Sequence, residues 1–107
     1  LGEEIMYFYT PDEALKVEDI IPDLEFPTPE EEAERGELRE CVNRALADLP
    51  REWRRALLLR YIEEFDVAEV ATIMRKRETD IKSMLERARR ELRQRLLEAG
   101  CHTKPVA

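Results

Sequence analysis

The stretch from Asp66 to Leu97, DVAEVATIMRKRETDIKSMLERARRELRQRLL, decides the fold. It opens with a short apolar run whose period is helical. It then passes through a charged turn, Arg75-Lys76-Arg77-Glu78, and continues as a longer segment carrying most of the cationic side chains. Asp66 followed by Glu69 is a capping box, and Val67, Val70, Ala71, Ile73 and Met74 supply an inner face for the short helix. Thr79 or Asp80 is the expected cap of the longer helix. Its apolar residues Ile81, Leu85, Ala88, Leu92 and Leu96 recur on one narrow stripe, and Gly100 is a natural stop. Two helices joined by so short a turn must cross steeply, and the second can then enter a DNA major groove. Residues 66–97 therefore read as a helix-turn-helix.

Upstream, Leu49-Pro50 ends one helix and opens another, because the residue before proline is pushed out of the helical region. Trp53, Ala56, Leu57, Leu59, Tyr61 and Ile62 make an apolar face wide enough to imply burial on two sides. Arg51, Arg54, Arg55 and Arg60 keep the rest solvated, the default reading, or contact phosphates. The preceding helix is expected from about Pro29 to Asp48. Thr28 is its cap, Glu31 completes the capping box, and Leu38, Cys41, Val42, Ala45, Leu46 and Leu49 recur at helical steps. The fold class is all-α: a four-helix domain over residues 29–100, with the helix-turn-helix at its C-terminal end.

Residues 1–28 lack a helical period. Pro11, Pro22, Pro27 and Pro29 break this part of the chain, and acids fill much of the rest. It is an acidic, partly extended arm, with Ile20, Ile21, Leu24 and Phe26 as the residues able to touch the domain. Residues 101–107 are expected to be a flexible tail.

The chain has 107 residues, 40% of them charged, and a net charge of −7. That balance would argue against a nucleic-acid partner if it were uniform. It is not: residues 1–50 hold 15 acids and 4 bases, whereas residues 75–97 hold 9 bases and 4 acids. An acidic arm is attached to a basic helix. The lone His, the lack of a glycine-rich phosphate loop and the lack of a nucleophile constellation all argue against an enzyme. Cys41 lies on an apolar helical face and reads as a buried thiol acting as a small hydrophobe. Cys101-His102 does not make a zinc site, so no metal and no cofactor is expected. No segment approaches the ~20 apolar residues needed to span a bilayer, and no secretory pattern is present. A cytoplasmic protein with no membrane partner is expected. The chain begins Leu1-Gly2 without Met, as a fragment of a longer protein would.

With Ile81, Leu85 and Ala88 inward, the opposite face of the last helix centres on Ser83, Glu86, Arg87 and Arg90, flanked by Lys82. Lys82 and Arg87 can donate to guanine or phosphate, and Ser83 to a base or the backbone. Arg75, Lys76 and Arg77 stand where the turn would meet the flanking strand. Glu86 repels phosphate. It is accommodated by pairing with Arg90 one turn on, or by accepting from a cytosine amino group. The plain alternative is a solvated helix face with no ligand.

Three blocks carry a family resemblance: ALADLPREWRRALLLRYIEEF (45–65), VAEVATIM (67–74) and DIKSMLERARREL (80–92). Over about Leu38 to Leu97 the chain resembles region 4 of bacterial sigma factors, particularly the extracytoplasmic-function group. The acidic arm is similar to the linker that precedes region 4. The resemblance implies a transcription-initiation domain that reads the minus-35 promoter element with its last helix. It also implies docking on the β flap of the RNA polymerase core and masking by an anti-sigma factor. Lys82, Ser83 and Arg87 match the family's DNA-contacting positions. Arg75 and Lys76 stand where the family usually has a glycine and an apolar residue. Met84 stands where it often has Arg, and Glu86 where it has a non-acidic residue. The alternative function is a degenerate module of the same fold that binds the polymerase flap or an anti-sigma factor without reading DNA.

Overall fold

The computed structural model describes residues 20–22, 24–25, 37–100 and 104–105. Among the described residues four helical stretches make the domain: α1 (Glu37–Ala47), α2 (Arg51–Leu57, continuing through a π-helical turn at Leu58–Ile62), α3 (Val67–Met74) and α4 (Glu78–Ala99). The all-α class is observed. The described residues add a pair of two-residue strands, β1 (Leu24–Glu25) and β2 (Lys104–Pro105), joined antiparallel. The expected cap at Thr28, the first turns from Pro29 to Gly36, Phe26 and Cys101-His102 lie outside the described residues.

The apolar stripe of α4 is the axis of the core. Ile81, Leu85, Ala88, Leu92 and Leu96 are all buried, and α4 packs against α1, α2 and α3 in turn. Val42, Ala45, Leu46 and Leu49 come in from α1 and its end, Ala56 and Leu57 from α2, and Val70 and Ala71 from α3. Each fully buried aliphatic side chain contributes roughly 1.5–3 kcal/mol of transfer free energy, so this single cluster dominates the stability. Ile20, Ile21 and Leu24 are buried in the same cluster. The stretch that reads as an acidic tether thus gives three aliphatic side chains to the core, and its backbone pairs with the tail residues Lys104 and Pro105.

Cys41 is buried as expected, yet it is not a free thiol: it is disulfide-bonded. Its Sγ lies 3.8 Å from the carbonyl oxygen of Ala99, at the end of α4. The wide apolar face of α2 is less buried than its composition implies. Only Ala56 and Leu57 are sealed, while Trp53, Leu59, Tyr61 and Ile62 are half-exposed. Nor is Arg54 merely solvating. Its Nη1 donates to the carbonyls of Ala47 (3.1 Å) and Leu49 (3.0 Å), which satisfies acceptors that the end of α1 leaves open.

Candidate nucleic-acid interface

The helix-turn-helix is set by two caps. At the start of α3, the Glu69 amide donates to Asp66 Oδ1 at 2.8 Å, and the Asp66 amide donates to Glu69 Oε1 at 2.9 Å. This reciprocal pair is the expected capping box, and it fixes where the eight-residue helix begins. At the other end, the Lys76 amide bonds the Ala71 carbonyl at 2.9 Å and the Arg75 amide bonds Thr72 at 3.3 Å. That pattern is a Schellman motif, with Arg75 in the left-handed position at φ 57. Glycine takes this conformation freely, whereas a side chain there costs on the order of 1 kcal/mol. The corner of the turn is therefore a strained arginine.

The turn is shorter than the four residues expected, since Glu78 already belongs to α4. Neither Thr79 nor Asp80 caps α4. Arg77 occupies the cap position, with extended backbone and no side-chain cap bond. Asp80 instead accepts from Arg77 Nε at 3.1 Å and from Arg77 Nη2 at 3.3 Å. The hydrogen bonds from Arg77, more than its charge, hold the Asp80 carboxyl below its ordinary range, and the same bonds raise the Arg77 guanidinium. One residue of the α3 inner face is also misplaced by periodicity. Ile73 is 39% exposed, the one exposed large hydrophobic side chain among the described residues.

The outward face of α4 carries Lys82, Ser83, Glu86, Arg87 and Arg90, all exposed. The seven candidate contacts then divide by what they already hold. Lys76 is half-buried and lies 3.6 Å from Glu52 on α2. Arg77 is committed to Asp80, and Arg90 donates to Glu86 at 2.9 Å. Lys82, Arg87 and Arg75 form no ion pair among the described residues, and the Ser83 hydroxyl has no hydrogen bond there. Lys82, Ser83 and Arg87 share one outward patch in the first half of α4; Arg75 is set apart at the turn. Arg89 points elsewhere, donating to the Tyr61 hydroxyl at the end of α2. That tie, the Glu52–Lys76 pair and the Arg54 cap leave no mark in helical periodicity, because they join residues on different helices.

The family model described as sigma-70, region 4 matches residues 39–92, just over half of the chain. This chain belongs to the sigma-70 region 4 family. Region 4 is the promoter-binding part of sigma factors and works with RNA polymerase; it is not a family of enzymes. The matched segment takes in nearly all of α1, then α2, α3 and the first two-thirds of α4, so it contains the whole helix-turn-helix. No curated protein and no solved structure matches the chain. Among the described residues, no region 4 helix is long and apolar enough to cross a membrane.

Proposed function

We propose that this region 4 domain reads the minus-35 element of promoter DNA by laying the first half of α4 in the major groove. It would do so as part of an extracytoplasmic-function-type sigma factor bound to RNA polymerase in the cytoplasm. The observation that carries the reading is the patch of Lys82, Ser83 and Arg87. These three side chains stand together and exposed, with no ion pair on Lys82 or Arg87 among the described residues, opposite a buried stripe that fixes which way the helix faces. Lys82 and Arg87 donate to guanine edges or phosphates, and Ser83 donates to either. Arg75 at the strained corner and the paired Lys76, Arg77 and Arg90 serve as phosphate contacts. The last three must exchange or share their partners to do it. The mechanism is positioning: phosphate contacts set the register, and a few base contacts select the sequence.

About five phosphate contacts would give a slope near −4 to −5 for log affinity against log salt. Titration of the chain with fluorescent duplex at several salt concentrations tests this. Binding that ignores salt would sink the reading. In the assembled enzyme, Lys82→Ala with Arg87→Ala should abolish promoter-specific initiation while polymerase binding survives.

One observation favours a second reading, a docking module for the polymerase flap or an anti-sigma factor. Ile73 and Met74 line a surface groove together with Arg51, Glu52, Arg55 and Arg75, and DNA readout makes no use of those two apolar side chains. Under this reading the same double variant leaves initiation unchanged, whereas Ile73→Asp disrupts partner binding.

A further inference from the structure

Glu86 is an acid set between Lys82 and Arg90 on the outward face of α4, and region 4 as a DNA reader has to account for it. Its Oε1 accepts from Arg90 Nη2 at 2.9 Å, while Oε2 makes no hydrogen bond among the described residues. Both side chains are largely exposed, at 64% and 73%. An exposed pair one helical turn apart contributes little to stability, so holding the fold together does not explain it. The carboxylate stands one turn after Lys82 and one residue before Arg87 on the same exposed face. Any DNA those two cations hold is therefore brought against it.

A carboxylate in a major groove is repelled by phosphates and by every acceptor on the base edges. It can only be satisfied by an amino donor. Two bases present one there, cytosine at N4 and adenine at N6. Adenine's amino group sits beside N7, an acceptor that repels a carboxylate and suits the mixed donor and acceptor of an amide instead. Cytosine's does not. Arg90 holds Oε1 and leaves Oε2 as the oxygen available to such a donor.

We infer that Glu86 is a specificity-determining residue that selects a cytosine within the site, with Arg90 as the residue that positions it. This rests on α4 being the DNA-reading helix. The same interaction makes Glu86 a filter: a site with any other base at that step leaves the carboxylate desolvated and unpaired against the DNA.

The test is a selection from a pool of randomised duplexes by the full 107-residue chain, followed by sequencing. Wild type is compared with Glu86→Ala, Glu86→Gln and Arg90→Ala, and circular dichroism confirms that each folds. Wild type should enrich one cytosine column by roughly five- to tenfold over other bases. Glu86→Ala should flatten that column alone, without weakening affinity for the unselected pool. Glu86→Gln should move the column towards adenine, and Arg90→Ala should blunt it while sparing the others. If Glu86→Ala leaves every column as it was, the inference is overturned even though DNA binding stands. If wild type fails to bind the pool in a salt-dependent way, the DNA reading falls first and takes this inference with it.

Discussion

Arg89 on α4 donates to the hydroxyl of Tyr61, 28 residues earlier at the end of α2. The bond crosses between two helices and adds a polar tie to the buried stripe that sets which side chains α4 presents. Arg60 lies 5.6 Å from the centre of the same ring, so the tyrosine is held on its face as well as at its tip. Tyr61→Phe keeps the ring and its stacking and removes only the acceptor. A half-buried bond to a charged donor is worth about 1 kcal/mol after solvent screening. Urea denaturation should show that loss, with a melting temperature lower by roughly 4–8 °C. A freed Arg89 would also add a cation near the DNA face, so the salt slope for DNA should steepen.

Arg75 is the residue whose backbone and side chain disagree. Its φ of 57 suits glycine, yet its guanidinium stands at the helix-turn-helix corner with no ion pair among the described residues. Arg75→Gly should stabilise the domain by roughly 0.5–1 kcal/mol, the relieved left-handed strain less the entropy of the more flexible unfolded chain. It should weaken DNA binding and reduce the salt slope by about one phosphate contact. Stability and affinity moving in opposite directions is the signature to look for. A fall in stability would show that the Arg75 side chain makes a contact holding the turn together.

Asp66 starts α3, which at eight residues is too short to persist without its caps and packing. Asp66→Ala removes one half of the capping box and strands the Glu69 amide, at a cost of about 1 kcal/mol. Amide exchange should accelerate first in Val67–Met74, and the loss should show in DNA binding only as far as α3 supports α4. Asp66→Asn, which can still accept from the Glu69 amide, should retain most of the stability.

The parts of this structure legible in the sequence are those written in short-range periods. The stripe Ile81, Leu85, Ala88, Leu92, Leu96 repeats at helical steps and is buried throughout. Asp66 with Glu69 is a local signature and forms as written. Gly100 ends α4 in the left-handed conformation glycine favours. What was not legible depends on distant partners. Asp80 looked like a cap, but Arg77 is three residues away and offers a charged fork, which outcompetes a backbone amide for the carboxylate. Ile73 fits the inner-face period of α3, yet an eight-residue helix turns only part of its apolar arc towards the core. Ile20, Ile21 and Leu24 sit in a proline-broken acidic context with no period, so their burial shows only once α1 and α4 are in place. The outward patch of Lys82, Ser83 and Arg87 was legible because the inward stripe defines its complement. That Lys76 is tied to Glu52 was not, because the two lie on different elements.

Cys41 gives a stability test that ordinary buffers conceal. Its disulfide anchors α1 at the point where it faces the end of α4. A disulfide closed within a chain contributes typically about 2–4 kcal/mol. Dithiothreitol should therefore lower the melting temperature of wild type, while Cys41→Ser should melt low and be indifferent to reductant. The chain's other cysteine, Cys101, lies outside the described residues, so the pairing is to be read by peptide mapping of the unreduced protein. A disulfide-linked dimer on a non-reducing gel would show that the bond joins two chains.

The Arg77–Asp80 pair makes the start of α4 sensitive to acid. The hydrogen bonds from Arg77 depress the Asp80 carboxyl in the folded protein, so its contribution is fully present above the unfolded carboxylate value of about 4. It is lost as the pH falls through the lower, folded value, and nothing changes between about pH 5 and 8. The raised Arg77 guanidinium stays charged throughout this range and adds no second transition. NMR titration of the Asp80 carboxyl should give a midpoint below that of an unpaired aspartate, and Arg77→Ala should return it to the ordinary range. Asp80→Asn should melt below wild type at pH 6, and the two curves should converge near pH 2. A gap that persisted in acid would assign the effect to the helix start rather than to the ion pair.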